Sequence, residues 1–525
     1  MMTVIRVAVL ALATIGIAAC LPTFEDNHTT TAPVPVAAYV EIPTPFAHAW
    51  TEPSHPFTGA AVIDIDGEGN LEIFVGGGRG QADMVLGFKD GALADRTAGT
   101  GLASVKPATH GAASIDMNDD GWVDLLVARE DGLTLYVNNG GTFSAQPIPL
   151  TLQPDAVPMS IAVSDMDGDS DGDLYVSVFV TFPAFKSATF NDPAHAKANV
   201  VLRNDGGLKF TDVTKASGAM GTQNTFHATF ANLDGDADQD LVLSQNTGEI
   251  EIFENKGGGT FTPVPTNSGY GFWMGLAVGD VDQDGDADIF ASNIGTSIPD
   301  FLTSGDLRAD QRQNSNWILM RNDGNLAFSD VTESLNLTGY GFSWGAQFED
   351  LNLDGRIDLL VAQNYIKWPP HKIAPLPGKA LLQLDAPEGR GFYQVPGLGL
   401  DNPLFGQSPI IVDLDGDGRA DVLWLNMNGP LRAFLNRGAG SYLTVRLPDN
   451  VAALGATVCV TTTDGRKRSR QVIASTGLMT DPTPHVHFGL GAATGVETVE
   501  VITMDGRRTA IARPGINRAV TVSLP

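Results

Sequence analysis

Nine consecutive residues, Asp280-Val-Asp-Gln-Asp-Gly-Asp-Ala-Asp288, carry a carboxylate at every odd position and Gly285 at the sixth. A hard divalent cation takes six to eight oxygen ligands. Side chains at positions 1, 3 and 5, a main-chain carbonyl at 7 and a carboxylate at 9 can wrap one Ca2+. Glycine at position 6 permits the sharp reversal. An EF-hand would close on a bidentate Glu between two helices. Here the ninth position is followed by the apolar run 289–291, so the loop is expected to join two strands.

The pattern recurs seven times. The candidate ligands at positions 1, 3, 5 and 9 are Asp64, Asp66, Glu68 and Glu72; Asp116, Asn118, Asp120 and Asp124; Asp165, Asp167, Asp169 and Asp173; Asn232, Asp234, Asp236 and Asp240; Asp280, Asp282, Asp284 and Asp288; Asp350, Asn352, Asp354 and Asp358; and Asp413, Asp415, Asp417 and Asp421. Ser170 and Ala237 stand where the third and fourth loops would have glycine, Glu68 and Glu72 lengthen the first, and Asn232 opens the fourth. Up to seven Ca2+ are therefore expected. Their role is structural, because each loop is already filled by protein oxygens, whereas a catalytic metal keeps a position open.

Loop starts fall 48 to 70 residues apart, room for four short strands each, and such a period is that of a propeller blade. In the fifth copy, strands are expected over 275–279, 288–292, 317–321 and 328–331. Asn322-Asp-Gly324 supplies a hairpin turn before the last of them, and Asn204-Asp-Gly206 repeats it. The last repeat has no evident fourth strand. Tyr39-Val-Glu-Ile42, ahead of the first repeat, is expected to supply it and close the ring. The fold expected is all-β: a seven-bladed β-propeller with calcium loops over 38–440, followed by a small, separate β-sandwich-like domain over 441–525.

The chain of 525 residues has a formal charge of −29. Twenty-nine of its 61 acidic residues lie in the seven loops, leaving 32 acids against 32 Lys plus Arg. The acidity is thus a property of the metal loops rather than of a generally acidic surface. Two cysteines make no disulfide framework. Residues 1–19 read as a signal peptide, with Arg6 ahead of the apolar run 7–19. They end in Ile17-Ala-Ala-Cys20, which resembles a bacterial lipobox with Cys20 as the lipidated residue. Residues 20–37 then form a Thr- and Pro-rich flexible tether. Export is expected, with a lipid anchor at the outer membrane or cell surface as the only membrane contact. Cys459 reads as a small buried apolar residue.

The repeated loops resemble those of FG-GAP/VCBS repeat proteins. Asn436-Arg-Gly-Ala-Gly-Ser-Tyr-Leu443, Leu454-Gly-Ala-Thr-Val458, Ser475-Thr-Gly477 and His487-Phe-Gly-Leu-Gly491 resemble an ASPIC/UnbV domain. Together they resemble the cartilage acidic protein family, in a bacterial lipoprotein-like version. The resemblance implies an extracellular calcium-binding protein with no known enzymatic activity.

In an up-and-down blade the loop between the first and second strands lies on one face, and the loop between the second and third lies on the other. Insertions at 179–199, 294–315 and 364–379 therefore gather opposite the calcium loops. Tyr270, Trp273, Tyr340, Trp344, Tyr365 and Trp368 are candidates for a ligand surface there, since exposed aromatics suit proteins and sugars; blade packing is an equal reading of Trp273 and Trp344. His485 and His487 form a candidate metal pair on one strand face. The basic stretch 464–470 reads as a solvated turn, and no nucleic-acid partner is expected. The functional expectation is non-enzymatic adhesion or recognition of a protein or glycan. The alternative is a propeller enzyme acting on extracellular polysaccharide.

Overall fold

The computed structural model describes residues 29–30, 38–105, 107–185, 190–295, 304, 306–364, 376–387, 389–482 and 485–524. The leader, Cys20, most of the tether, Tyr365 and Trp368 lie outside these residues. Helix among them is confined to short turns such as Thr214–Ser217. No helix among them is long and apolar enough to cross a membrane.

Seven four-stranded antiparallel meanders follow one another along residues 39–436, and they are numbered here as blades 1 to 7. Blade 5 is typical: Leu276–Gly279, Asp288–Ala291, Ile318–Asn322 and Phe328–Asp330 pair in order. These bounds lie within a residue or two of those expected from the sequence. Inner strands are buried along their whole length, as in Asp173–Val180 and Asn224–Ala231; the first reads as a nearly continuous apolar run, whereas the second buries Asn224, Thr225, His227 and Thr229 as well. Innermost strands also approach closely where they start. A Cβ on Gly275 would stand 2.5 Å from the Gly345 Cα, so only glycine fits.

The ring closes as expected. Tyr39–Ile42 pairs antiparallel with Arg432–Asn436, Tyr39 lying opposite Asn436. Blade 7 thus takes its outer strand from the start of the chain, and no blade edge is left at the junction.

Beyond the ring lie two further sheets. One contains Ser441–Arg446 between Val486–Gly491 and Arg518–Thr521; the other runs Lys467–Gln471, Thr457–Thr462, Val496–Ile502, Arg508–Ala512. They share a core that includes Val445, Val458, Phe488 and Val499. Cys459 is half-buried, because it faces away from that core.

The expectation of a separate body needs correcting. The C-terminal domain stands on the loop face of the ring, and residues 475–481 leave it to enter the ring's axis. Thr480–Asp481 adds a parallel strand to Ala60–Ile63 of blade 1. Ser475 Oγ donates to the Ile161 carbonyl of blade 3 at 2.7 Å. The Asp481 carboxylate accepts from the Ser114 N–H of blade 2 at 2.7 Å and from the Ser475 N–H at 2.7 Å. In blade 4, His227 Nε2 lies 2.8 Å from the Ser475 carbonyl and Nδ1 accepts from the Met479 N–H at 3.2 Å. Gly477 exchanges both main-chain bonds with Leu276 of blade 5, and Ser408 Oγ of blade 7 accepts from the Leu478 N–H. The far end of the axis is filled by rings from blades 1, 4 and 6: Phe57, Phe226 and Trp344, with centroids 5.2 to 5.8 Å apart. Leu478 and Met479 pack into that same cluster. The ring therefore has a solid axis.

Candidate functional site

The metal loops owe their shape to repeated backbone geometry. Position 4 has positive φ in all seven: Gly67, Asp119, Gly168, Gly235, Gln283, Leu353 and Gly416. Position 6 does so in six, including Ser170 at 74°, whereas Ala237 does not. With the chain so turned, the position 1 carboxylate accepts the N–H of position 6: Gly69 to Asp64, Gly121 to Asp116, Ser170 to Asp165, Gly285 to Asp280, Gly355 to Asp350 and Gly418 to Asp413, at 2.7 to 3.1 Å.

Position 9 does more than the sequence disclosed. One of its oxygens accepts the N–H of position 2 in its own loop, as in Val281 to Asp288 at 2.8 Å and Met166 to Asp173 at 2.8 Å. The other accepts a main-chain N–H from the third strand, from Asn322 to Asp288 at 2.9 Å and from Asn255 to Asp240 at 3.0 Å. The side chain of that third-strand residue then crosses to the preceding blade. Asn138 reaches the Ile65 carbonyl, Asn255 reaches Met166, Asn322 reaches Leu233 and Gln383 reaches Val281, at 2.7 to 3.1 Å. These straps tie loops 2, 4, 5 and 6 to the loop of the blade before. In the sequence the Asn-Asp-Gly runs show only a turn; the recurrence of Asn, any residue and Gly at Asn138, Asn204, Asn255, Asn322 and Asn436, where third strands end, was the available signal.

The donor set fits a cation. In loops 1, 3, 5 and 7, oxygens of positions 1, 3 and 9 lie within 4.8 Å of one another: Asp64, Asp66 and Glu72; Asp165, Asp167 and Asp173; Asp280, Asp282 and Asp288; Asp413, Asp415 and Asp421. These are the loops in which all three positions are acidic. In loops 2, 4 and 6, Asn118, Asn232 and Asn352 would supply a neutral oxygen instead. Each acidic cluster has one buried carboxylate oxygen without a hydrogen-bond partner: Asp64 Oδ1, Asp167 Oδ1, Asp282 Oδ1 and Asp413 Oδ1. A buried acceptor left unpaired costs about 1–3 kcal/mol, and a cation would satisfy it. Position 5, where Glu68, Asp120, Asp169, Asp236, Asp284, Asp354 and Asp417 stand, lies outside the tight trios.

Electrostatics agree with the geometry. Burial, reinforced by neighbouring carboxylates, raises Glu72, Asp173, Asp240 and Asp288 to about 7 and Asp124 and Asp280 to about 6. Such groups ask for a proton or a cation. Guanidinium groups answer part of that demand at two loops. Arg96 stands 3.5 Å from Asp66, and Arg446 and Arg437 stand 3.2 and 2.6 Å from Asp413 and Asp415. Loops 3 and 5 pair all-acidic trios with no ion pair to their ligands among the described residues, so they fit Ca2+ best.

The C-terminal domain covers this face. Ser469 Oγ donates to Asp280 at 2.9 Å, Gln471 and Asn232 exchange two bonds at 2.7 and 3.0 Å, and the Asp116 N–H donates to the Asp449 carbonyl at 2.9 Å. The basic stretch is consequently not a solvated turn throughout. Asp464 and Arg466 are exposed at its tip, but Arg468 is 8% exposed and donates to the Gly355 carbonyl, and Arg470 pairs with Glu349 at 2.9 Å. With Ser469 and Gln471, four consecutive residues reach the ring from Lys467–Gln471, which is the edge strand of its sheet. His485 and His487 also lie within this interface, where His487 Nδ1 bonds Thr444 Oγ1 at 3.0 Å. No third ligand joins them in a trio among the described residues.

On the opposite face, the expected aromatic surface loses three of its six members. Trp273 is 0% exposed, Trp344 2% and Tyr340 5%. Trp344 belongs to the axial ring cluster, and Tyr340 stacks on Trp317 with centroids 4.1 Å apart. Their recurrence reflected blade packing. Among the described candidates only Tyr270 stays half-exposed, at the rim of a groove of about 1070 Å3 over blade 4, whose lining includes Met220, Gln223, Glu251 and Arg308.

The class of protein follows from this arrangement: a β-propeller with repeated acidic loops, stabilised by a β-domain on its loop face. Residues 116–176 and 232–291 match the FG-GAP-like repeat, and residues 447–525 match the ASPIC and UnbV domain. The chain is an FG-GAP-repeat protein with a C-terminal ASPIC/UnbV domain. No curated protein sequence matches it. Among solved structures it is similar to an Agrocybe aegerita lectin described for recognition of non-reducing terminal N-acetylglucosamine, at 18% identity and TM-score 0.40 over 71% of this chain and 93% of that one. It is similar also to YCF48 bound to D1 peptide, at 11% identity and TM-score 0.42 over 79% and 99%. A third is the V. cholerae biofilm matrix protein Bap1, at 11% identity and TM-score 0.34 over 91% and 76%.

Proposed function

We propose that this is an exported, calcium-stabilised surface protein that recognises a protein or glycan through the face opposite its metal loops, without turnover. One observation carries the reading: the C-terminal domain occupies the loop face and the axis, so the exposed, non-repeating part of the ring is the opposite face with its groove. Residues 1–20 support export and a lipid anchor at Cys20. The acidic trios and their unpaired buried oxygens support Ca2+, first at loops 3 and 5.

A propeller enzyme acting on polysaccharide is the second reading, favoured by Glu251, whose pKa burial raises within the groove. Against it, both Glu251 oxygens accept hydrogen bonds, from Thr222 and Gln245. To test the two readings, the calcium-loaded protein is incubated with extracellular polysaccharides and surface proteins, and both retention and product release are measured. Retention without new reducing ends or peptide termini is expected. Product formation abolished by Glu251→Gln would overturn the non-enzymatic reading. Retention that survives large substitutions along the groove but is lost on replacing exposed loop-face residues would overturn the assignment of the face.

A further inference from the structure

Blade 4 differs from its neighbours on the face away from the metal loops. Its second and third strands, Asp240–Gly248 and Glu251–Asn255, are joined by a two-residue turn. In blades 3 and 5 the corresponding strands are separated by long insertions, between Val180 and Val200 and between Ala291 and Ile318. A short turn between two tall walls leaves a trough. The walls meet above it through Asn191 of the blade 3 insertion, which donates to the Asp306 carbonyl at 2.7 Å and to Gln311 at 2.9 Å and accepts from Arg308 at 2.6 Å. The groove beneath this bridge is about 1070 Å3, at or beyond the upper end of ordinary small-molecule sites, which suits a chain ligand.

We infer that this groove binds an uncharged oligosaccharide; the inference rests on the reading that the ligand face lies opposite the metal loops. Charge within the groove is balanced, Lys197 and Arg308 against Glu249 and Glu251. Three of the four are also committed to protein partners: Lys197 to the Ala194 carbonyl, Arg308 to Asn191, Glu251 to Thr222 and Gln245. A polyanion would need a surplus of cations, and the groove has none. What it offers instead is acceptors and apolar faces. The half-buried Gln223 lines it, an amide side chain that can accept from or donate to a hydroxyl. Tyr270 presents part of its ring and Met220 is 43% exposed, surfaces that suit the C–H face of a sugar.

A peptide fits less well. Extended peptides commonly add to a free strand edge, taking alternate main-chain bonds. The outer strand of blade 4, Phe261–Val264, is the available edge, but Pro263 within it and Pro265 just after it have no N–H to give.

The test uses the full calcium-loaded chain and isothermal titration with cellohexaose, mannohexaose, maltohexaose and chitohexaose, with hexagalacturonate and a proline-free peptide pool as comparisons. At least one neutral hexasaccharide should bind, with affinity unchanged between 0.05 and 0.5 M salt. Tyr270→Ala and Gln223→Ala should each weaken it about tenfold or more while melting temperature stays the same, and Tyr270→Phe should preserve it. Tighter, salt-sensitive binding of hexagalacturonate would overturn the inference, as would absence of binding to every neutral probe. Peptide binding lost in the Tyr270→Ala variant would overturn the sugar assignment while leaving the ligand face in place. Sugar binding indifferent to the groove variants would remove both.

Discussion

The two faces of the ring solve different problems with the same strands. On the loop face one arrangement recurs around the ring: a position 1 carboxylate closes the turn in every loop but the fourth, a position 9 carboxylate holds two N–H groups in every loop but the first, and a second domain is seated across it. The opposite face repeats almost nothing: blades 3 and 5 carry long insertions, blade 4 a two-residue turn. Even the two ends of the axis differ, one filled by the hydrogen-bonded segment 475–481 and the other by packed rings. Repetition here accompanies load shared around a ring, and irregularity accompanies the groove over blade 4. Stability should therefore respond to changes on the loop face, and recognition to changes on the other.

The largest expected effect is that of removing calcium. Extracellular calcium modules bind at ~10⁻⁴ to 10⁻³ M, and at roughly tenfold excess each site contributes about 1.4 kcal/mol, so seven give roughly 10 kcal/mol as an upper bound. For a ring of this size that is a fall in melting temperature of about 10 °C on adding chelator. The pH dependence should reverse with it. Without metal, Asp173, Asp240 and Asp288 have folded values of about 7, above the unfolded value. Each then contributes stability that is fully present below about pH 4 and lost as pH rises through 7. The chelated protein should accordingly melt higher at pH 5.5 than at pH 8, whereas the calcium-loaded protein, whose ligands must be ionised, should lose affinity over the same descent. Parallel pH profiles with and without chelator would break the assignment of the loops.

Second in size is the axial segment. Asp481 is 1% exposed and holds two main-chain N–H groups. Replacing it by Ala strands both, at about 1–3 kcal/mol each, so Asp481→Ala should cost roughly 4 kcal/mol and open 475–481 to limited proteolysis. Calcium affinity at loop 3 should change far less than melting. An equal loss of both would mean that the axis and the loop face are one cooperative unit.

Much of the loop face was legible because its constraint is local. Carboxylate spacing and strand period both sit within nine to 70 residues of sequence, and Tyr39-Val-Glu-Ile42 could be placed because one blade lacked a strand. What escaped notice was whatever depends on contacts between distant segments. Ser475-Thr-Gly477 reads as a motif of a small domain; nothing in it states that it reaches Ile161, His227 and Leu276. Trp344 and Tyr340 are alike as ring-facing or ligand-facing residues until the ring closes. The insertions that flank the groove were legible, but not that they meet above blade 4, where Arg308 bonds Asn191 across 117 residues of sequence.

Third comes acid acting on His227. Its Nδ1 accepts from the Met479 N–H, so Nε2 must carry the proton donated to the Ser475 carbonyl, and the ring is held neutral. Burial lowers its pKa to about 4. A base whose folded value is depressed keeps its full stability above the unfolded value of about 6.5 and loses it as pH falls toward 4. From pH 7 to pH 5 that loss is about 2 kcal/mol. Other groups titrate in the same window with the opposite sign, Asp481 among them at about 6, so the measurement is a difference: the stability gap between wild type and His227→Gln should shrink by about 2 kcal/mol from pH 7 to pH 5. A constant gap would place His227 outside the acid response of the axis.

The smallest expected effect separates two departures that look alike in sequence. Ser170 and Ala237 both replace glycine at position 6, yet only Ser170 is held at positive φ, 74°. A non-glycine residue there is strained by about 1 kcal/mol, tolerated because its N–H still closes onto Asp165 at 2.9 Å. Ser170→Gly should therefore raise stability by about 0.5–1 kcal/mol with calcium present. Ala237→Gly has no such strain to relieve; by loosening the unfolded chain it should lower stability by about 0.5 kcal/mol. Matched urea titrations of the two variants would show opposite shifts in midpoint at unchanged slope. Shifts of the same sign would mean that loop 4 adopts the common turn once its cation is in place, and that Ala237 bears the same strain as Ser170.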